Sequence, residues 1–413
     1  MPGPGMVFIG DEEKRELLEV LEAGYLFRYG SPNNPAFKAK VYQLEHEIAQ
    51  LVGVRHAVAV NSGTTALLVA LSGLGVGPGD EVIVPGYTFI ASMSAVIYAR
   101  AIPILAEIDR TLNLDPKDVV ARITPRTKAI MAVHMLGNPA RLNELKAIAD
   151  DHNLLLIEDC AQAFGASYKG KRVGSVGDAG TFSFNIFKMI TAGDGGMVVT
   201  DDEESYGRFF GLHDQGHSPL RVGIEIGQRP FVGLDFRMTE LTAAVLLAQL
   251  RRLDDILDRL RANKRRFKDA IADLPGLEFR EVTDRDGECA TLLTVLFPSE
   301  EAARGTAEML GTKVVADSGW HVYSNMEQIL CKRTITSEGC PFTCPLYRGG
   351  EVRYEKGMLP QTDSILSRAV NISIGVSDPG LGSGFGVTAL DGADAVDARA
   401  AHFRRVARQH LSA

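Results

Sequence analysis

Short, continuously apolar runs alternate along this chain with longer segments of helical period. Residues 57–60, 81–84, 102–108, 129–134, 154–157, 180–184 and 196–200 read as strands. A strand with one wet face alternates polar and apolar positions, so runs apolar throughout belong to strands covered on both sides. Residues 11–23, 35–52, 66–74, 89–100 and 142–152 read as helices. The first opens on an acidic turn, which suits the positive end of a helix dipole. The second carries Glu45, His46 and Glu47 on what reads as its polar side. This alternation predicts an α/β fold, a mostly parallel sheet with helices on both faces.

A long helical tract over 238–268, broken near Leu253, leads into a different texture. Beyond it 289–297 and 369–374 read as strands, 300–310 and 391–410 as helices, and 320–360 shows few periodic signals. The expected organisation is an N-terminal arm and helix over 1–40, a large domain over 41–252 and a smaller C-terminal α+β domain over 253–413. The opening Met1-Pro2-Gly3-Pro4-Gly5 reads as a flexible arm, not a signal peptide, because no basic start leads into an apolar run. No charge-free apolar stretch reaches about 18 residues, so no membrane contact is expected and a cytoplasmic location follows as the default.

Composition narrows the partners. The chain is 45% hydrophobic and 23% charged, as in ordinary globular proteins, and its net charge of −8 leaves no basic stripe for nucleic acid. The run Lys264-Arg265-Arg266 lies in the helical tract and reads as a solvated face. An odd set of five cysteines (Cys160, Cys289, Cys331, Cys340, Cys344) in so long a chain argues against a disulfide framework. The Cys340–Cys344 pair has the spacing of half a metal site, with no second pair or nearby histidine, so no metal is expected.

The chemistry concentrates at strand ends. Ser62-Gly63-Thr64-Thr65 follows a strand and opens a helix, where free N–H groups and the dipole favour phosphate; a simple N-cap reads equally well. Phe89 lies just past the strand 81–84 and is placed either to stack on a planar ligand or to pack in the core. Glu158-Asp159 follows the strand 154–157, the position where ligands bind in parallel sheets, with Gln162 three residues on; a cap for a helix from Cys160 is the alternative for Asp159. Ser183 and Lys188 precede the glycine-rich turn Gly193-Asp194-Gly195-Gly196. A lysine in apolar surroundings has a depressed pKa and serves as nucleophile and base. Phosphate cradle, aromatic ring, acid and lysine in one chain order suggest pyridoxal 5′-phosphate, held as a Schiff base by Lys188 with Asp159 on the pyridine nitrogen.

Several segments together carry a family resemblance: Asn61 through Leu67, Pro85 through Phe89, Glu158 through Ala163, Gly177-Asp178, Ser183 through Gly196, and 233–240 with the helix after it. In these the chain resembles the DegT/StrS sugar aminotransferases, of the aspartate aminotransferase-like fold (type I for this cofactor). The likeness weakens over 290–360. It implies that Thr64, Ser183 and the backbone around Gly63 and Thr65 bind the cofactor phosphate, Phe89 stacks on the ring, Asp159 pairs with the ring nitrogen and Gln162 lies near the ring oxygen. Lys188 would form the Schiff base and shuttle the proton. It further implies a homodimer with shared sites, in which Asp235 approaches the partner's phosphate. The family carries asparagine there. A carboxylate would repel phosphate unless paired, and Arg237 is the candidate partner.

The reaction implied is transfer of an amino group from glutamate or glutamine to a keto or aldehyde group of a sugar-like acceptor, in amino sugar biosynthesis. Tyr29, His213, His217, Trp320 and His321 are the candidate substrate contacts, with surface or packing roles as the alternative for each. The 27–29 and 213–217 regions are partly similar to the 8-amino-3,8-dideoxy-octulosonate transaminase branch. A nucleotide keto-sugar or a keto-cyclitol fits equally. The rival activities are a sugar dehydratase using the same cofactor, whose branch replaces the lysine by histidine, and a non-catalytic regulatory protein on the same fold. Intact Lys188 and Asp159 speak against both.

Overall fold

A computed structural model describes residues 3–31, 33–219 and 229–411. In chain order the elements are α1 (Asp11–Ala23), α2 (Lys40–Val52), β1 (His56–Val60), α3 (Gly63–Gly73), β2 (Glu81–Pro85), α4 (Ile90–Tyr98) and β3 (Ile102–Ala106). Then follow α5 (Pro116–Arg122), β4 (Thr127–Val133), α6 (Leu142–Asp151), β5 (Leu155–Asp159) and the small hairpin of β6 (Ser167–Tyr168) and β7 (Lys171–Arg172). Next come β8 (Ala179–Ser183), β9 (Gly196–Thr200), α7 (Glu203–His213), α8 (Glu240–Leu250) and α9 (Leu253–Ile271). The remainder holds β10 (Glu278–Phe279), β11 (Leu292–Leu296), α10 (Glu300–Met309), α11 (Glu327–Leu330), α12 (Pro360–Ser367), β12 (Ala369–Ser373) and α13 (Ala393–Leu411).

Seven strands form one sheet in the order β1-β9-β8-β5-β4-β2-β3, in which β9 alone runs against the rest. The carboxyl ends of the other six therefore share one edge, and that edge positions the site. The apolar strand runs are explained by burial on both faces: on β2, Val82 and Val84 join one core and Ile83 the other. A second, antiparallel sheet of β10-β11-β12 is backed by α9 and α13, which meet through Phe267 and Phe403.

The helical tract 238–268 does break, between Leu250 and Leu253. Four expectations change. First, α2 starts at Lys40, five residues later than its pattern suggests, because Ala39 enters it in the left-handed region (φ 55°). Second, Glu45 faces inward. Its carboxylate accepts from the buried Arg28 at 2.9 and 3.0 Å and from Ala59 N–H, which offsets the burial of both charges. Third, the opening segment is packed where it is described: Gly3, Pro4 and Gly5 are buried, and a Cβ on Gly3 would stand 2.4 Å from the Phe187 carbonyl carbon. Gly5 N–H donates to Lys188 O at 3.3 Å, so this backbone supports the lysine loop. Met1 and Pro2 lie outside the described residues. Fourth, the basic run does not form one solvated face: Lys264 is 7% exposed, and Arg266 pairs with Asp397 of α13 at 2.5 Å.

Candidate active site

The strand ends converge on a cavity of about 250 Å³. Its wall takes Gly63 and Thr64 after β1, Phe89 after β2, Asp159 at the end of β5, Ser183 at the end of β8 and Lys188 beyond it. Gln162 and His321 complete the set of expected residues found there.

The cradle is built from helix physics. Ser62 caps α3, its Oγ accepting from Thr65 N–H at 3.1 Å. The N–H groups of Gly63 and Thr64, in the first turn, have no intrahelical acceptor and no other partner among the described residues, so they are available to an anion. Ser183 presses against this turn: a Cβ on Gly63 would lie 2.5 Å from the Ser183 Cβ and 2.9 Å from its Oγ. Only glycine allows so close an approach. Thr65 itself spends its hydroxyl on Asn61 Oδ1 at 2.8 Å and does not line the cavity.

Asp159 is 6% exposed and firmly held, accepting from Ser92 Oγ at 2.8 Å and from Ala161 N–H at 3.1 Å. Ser92 is in turn bonded to Thr88 Oγ1 at 2.7 Å. Asp159 heads a turn rather than a helix. Its neighbour Glu158 points the other way, into a fully buried nest of Gly174, Val176 and Gly177 N–H groups and His134. Burial raises the Glu158 pKa, and His134 with the N–H groups more than reverses that. His134, Glu158 and Cys160 stand close enough to hold a metal. However, His134 Nδ1 accepts from Ala140 N–H, which places the ring proton on Nε2 against Glu158 and leaves the histidine no free lone pair.

Lys188 keeps partial exposure as part of the cavity wall, yet the protein packed around it lowers its pKa, with Asp159 and Asp378 opposing the shift. Its amine makes no ion pair or hydrogen bond among the described residues. Gln162 has its amide oxygen engaged by Leu136 N–H at 2.9 Å, which leaves its NH₂ group to donate elsewhere. At the rim, Phe89 is 39% exposed, and His321 tilts against it with centroids 5.1 Å apart. The His321 segment is tied to the end of β2 by Thr88 N–H to His321 O at 2.9 Å. Burial, then the charge of Lys188, pushes the His321 pKa down to about 3, so this ring is neutral, and its Nδ1 has no hydrogen-bond partner among the described residues.

Five other expected residues do not line this cavity. Tyr29 and His213 are 3% and 0% exposed and pack around Arg28; His213 bonds Arg28 Nη1 at 3.0 Å. His217 is 7% exposed beside Arg229, and Trp320 points outward, 59% exposed. Asp235, with a half-exposed side chain, accepts from Arg237 Nη2 at 2.5 Å, the pairing expected from the sequence. Cys340 and Cys344 also lie elsewhere. Sequence reading missed Thr88, Asn185, Asp194 and Asp378 in the wall, and Ser92 behind Asp159. Thr88 and Ser92 share one face at i, i+4 beside Phe89, a signal open to a reader who looked for a second acceptor of that hydroxyl pair. Asp378 had none, since it arrives from a loop after β12.

With that geometry in view, the model of the DegT/DnrJ/EryC1/StrS aminotransferase family matches residues 8–328. The chain belongs to this family. It is 48% identical over 218 residues to GDP-perosamine synthase of Caulobacter vibrioides, covering 52% of this chain and 58% of that one. It is 45% identical to L-glutamine:2-deoxy-scyllo-inosose aminotransferase of Streptoalloteichus tenebrarius, covering 51% of each. The alignments thus span little more than half the length of these two relatives. The structure of S. venezuelae DesV in complex with a ketimine intermediate is 32% identical, with TM-score 0.71 over 94% of both chains. The fold is that of the family's sugar aminotransferases, and the donor set fits their cofactor, pyridoxal phosphate: free N–H groups for a phosphate, a fixed carboxylate for a ring nitrogen and a lysine without a contact counter-ion. Among the described residues, no helix is long and apolar enough to cross a membrane.

Proposed function

We propose that this chain is a pyridoxal-phosphate-dependent aminotransferase that moves an amino group from glutamate or glutamine to a keto or aldehyde carbon of a sugar-like acceptor. The observation that carries this reading is Lys188 and Asp159 in one cavity that ends at the free N–H groups of Gly63 and Thr64. When bound there, the cofactor supplies a conjugated ring that spreads negative charge from the substrate carbon. Gly63, Thr64 and Ser183 would hold its phosphate, Phe89 would cover a ring face, and the Gln162 NH₂ would donate to the ring oxygen. Asp159, fixed by Ser92 and Ala161, would set its carboxylate against the ring nitrogen. Lys188, its pKa lowered by burial, has a larger neutral fraction than a surface lysine. Its Nζ takes the proton from the donor's α carbon and later gives one to the acceptor's former carbonyl carbon. Leu67, Val133, Leu136, Leu292 and Val376 keep water from the exchange.

The printed activities of the relatives support an acceptor with its carbonyl on a polyhydroxylated skeleton: a nucleotide keto-sugar, a ulosonic acid sugar or a cyclitol. A cytoplasmic homodimer belongs to the same proposal, with 41–252 as the cofactor-binding domain and 253–413 as the smaller one. Leu26, Phe27, Val232 and Leu234 are all 45% exposed or more and give the dimer an apolar face beside Asp235. The test uses holoenzyme with glutamate or glutamine and no acceptor. It should release one 2-oxo acid per site and stop, and borohydride reduction beforehand should leave the cofactor covalently on the Lys188 peptide. Absence of that adduct by mass spectrometry would sink the proposal.

A further inference from the structure

We infer that a second cavity, between α9 and the segment from Phe279 to Thr294, is a binding site for a phosphoryl-bearing small molecule. It is independent of the Lys188 cavity. Leu292 lines that cavity and Leu293, the next residue of β11, lines this one. The two cavities have no lining residue in common.

The second cavity measures about 640 Å³ and is walled by cations. Arg261, Lys264, Arg265 and Lys268 share one face of α9 at helical spacing, and Arg280 and Arg285 stand across from them. The wall also carries four carboxylates: Asp269, Glu281, Asp286 and Glu288. Two of these are committed. Glu288 holds Lys264 at 2.5 Å, and Glu281 holds Arg141, outside the wall, at 2.7 Å. Of the wall's carboxylates, Asp269 and Asp286 remain for the other five cations.

The cations are poorly satisfied by the protein. Arg280 is 5% exposed, and its Nε and Nη2 donate to the carbonyls of Thr111 and Met135 at 2.7 and 2.5 Å. No carboxylate pairs with it among the described residues, and its Nη1 has no protein acceptor. Burial, only partly offset by Glu288 and more distant groups, pulls its pKa down to about 10. Lys268 rests over the Phe279 ring at 4.8 Å, and Arg265 and Arg285 make no hydrogen bond or ion pair among the described residues. Arg280 and Lys268 also crowd Lys264 with like charge. A buried guanidinium without a counter-ion in contact is costly, and a concave wall with an excess of positive charge focuses its field on whatever anion enters. Planar guanidinium groups on facing walls suit the oxygens of a phosphoryl group, whose charge near −2 is opposite in sign to the excess.

The test is calorimetric titration of pyrophosphate into holoenzyme saturated with pyridoxal phosphate, so that the Gly63 cradle is already filled. Wild type should bind it saturably at one site per chain, more weakly as salt rises. The Arg265→Ala/Arg285→Ala double variant, altered only at exposed and unpaired side chains, should keep its melting temperature and aminotransferase activity and lose at least about ten-fold in affinity. Citrate, a polyanion of carboxylates, should bind at least about ten-fold more weakly than pyrophosphate. No saturable binding in wild type, or equal affinity in the double variant, overturns the site. Citrate binding as tightly as pyrophosphate overturns the assignment to phosphoryl ligands.

Discussion

Lys188 and Lys264 are both enclosed by protein, and burial lowers the pKa of both, yet the two are built for different ends. Lys264 is 7% exposed and touches the Glu288 carboxylate at 2.5 Å. Lys188 lines a cavity and feels Asp159 and Asp378 only through space. A carboxylate in contact holds the proton on an amine and fixes its position. A carboxylate at a distance leaves the amine free to lose the proton and to reach a substrate. Burial alone therefore does not make a lysine reactive; what decides is whether the fold supplies a contact counter-ion or withholds it.

The sharpest way to break this comparison is to remove each amine. Lys188→Ala should lower the amino-transfer rate by about 10²–10⁴-fold or more, the range of a lost acid–base group. Lys264→Ala should leave the rate within about three-fold, since it supports no reacting atom. Comparable losses in steady-state assays of the two variants would end the distinction. Stability should respond in the other order. Lys264→Met removes the contact partner of the buried Glu288 and leaves it only the more distant charge of Arg280, so chemical denaturation should register a loss, at most about 3–5 kcal/mol. Lys264→Met/Glu288→Leu should recover most of it, because an apolar pair removes the stranded charge. If the single variant is as stable as wild type, the ion pair is not what holds α9 to the segment before β11.

A subtler contrast is in pH. The folded pKa of Lys188 lies below the usual lysine value of 10.5. Between those two values the unfolded chain binds a proton that the folded chain does not, so this group makes stability rise with pH across that window. Lys188→Met removes that share and should flatten the rise for the cofactor-free protein in denaturant titrations at stepped pH. An unchanged slope would mean that Lys188 titrates alike in both states.

The sequence disclosed these two lysines unequally. Lys188 was legible because local rules agree around it: an apolar strand, a glycine-rich turn and, at other strand ends, a cradle and an acid. The strands themselves were legible because burial on both faces leaves an unbroken apolar run. Lys264 was read as solvated because Lys264-Arg265-Arg266 is charged at every position, and only the register of α9 turns the first inward, the second toward a cavity and the third onto Asp397. Tyr29 and His213 looked like substrate contacts because aromatic and imidazole groups beside glycine suggest a site. Their task of enclosing Arg28 and Glu45 depends on contacts far apart in the chain. The opening glycines looked flexible for the same reason: a residue without a side chain packs by backbone, which leaves no hydrophobic signal.

The smallest expected effect concerns Asp235, a carboxylate with a contact counter-ion, like Glu288, but on an exposed loop. Arg237 bonds Asp235 through Nη2 and Asp214 through Nη1, at 2.5 and 2.6 Å. Asp214 is fully buried and sufficient to hold the guanidinium, so Asp235 adds negative charge more than it adds order. If that charge stands near the partner's cofactor phosphate, as proposed, Asp235→Asn should tighten pyridoxal phosphate binding by about two- to five-fold, the scale of an exposed charge interaction. The gain should shrink as salt is raised, since exposed charges are screened within about 10 Å at 0.1 M. Weaker binding in the variant would mean that Asp235 serves by orienting Arg237, and that the arginine, not the loop's net charge, meets the phosphate.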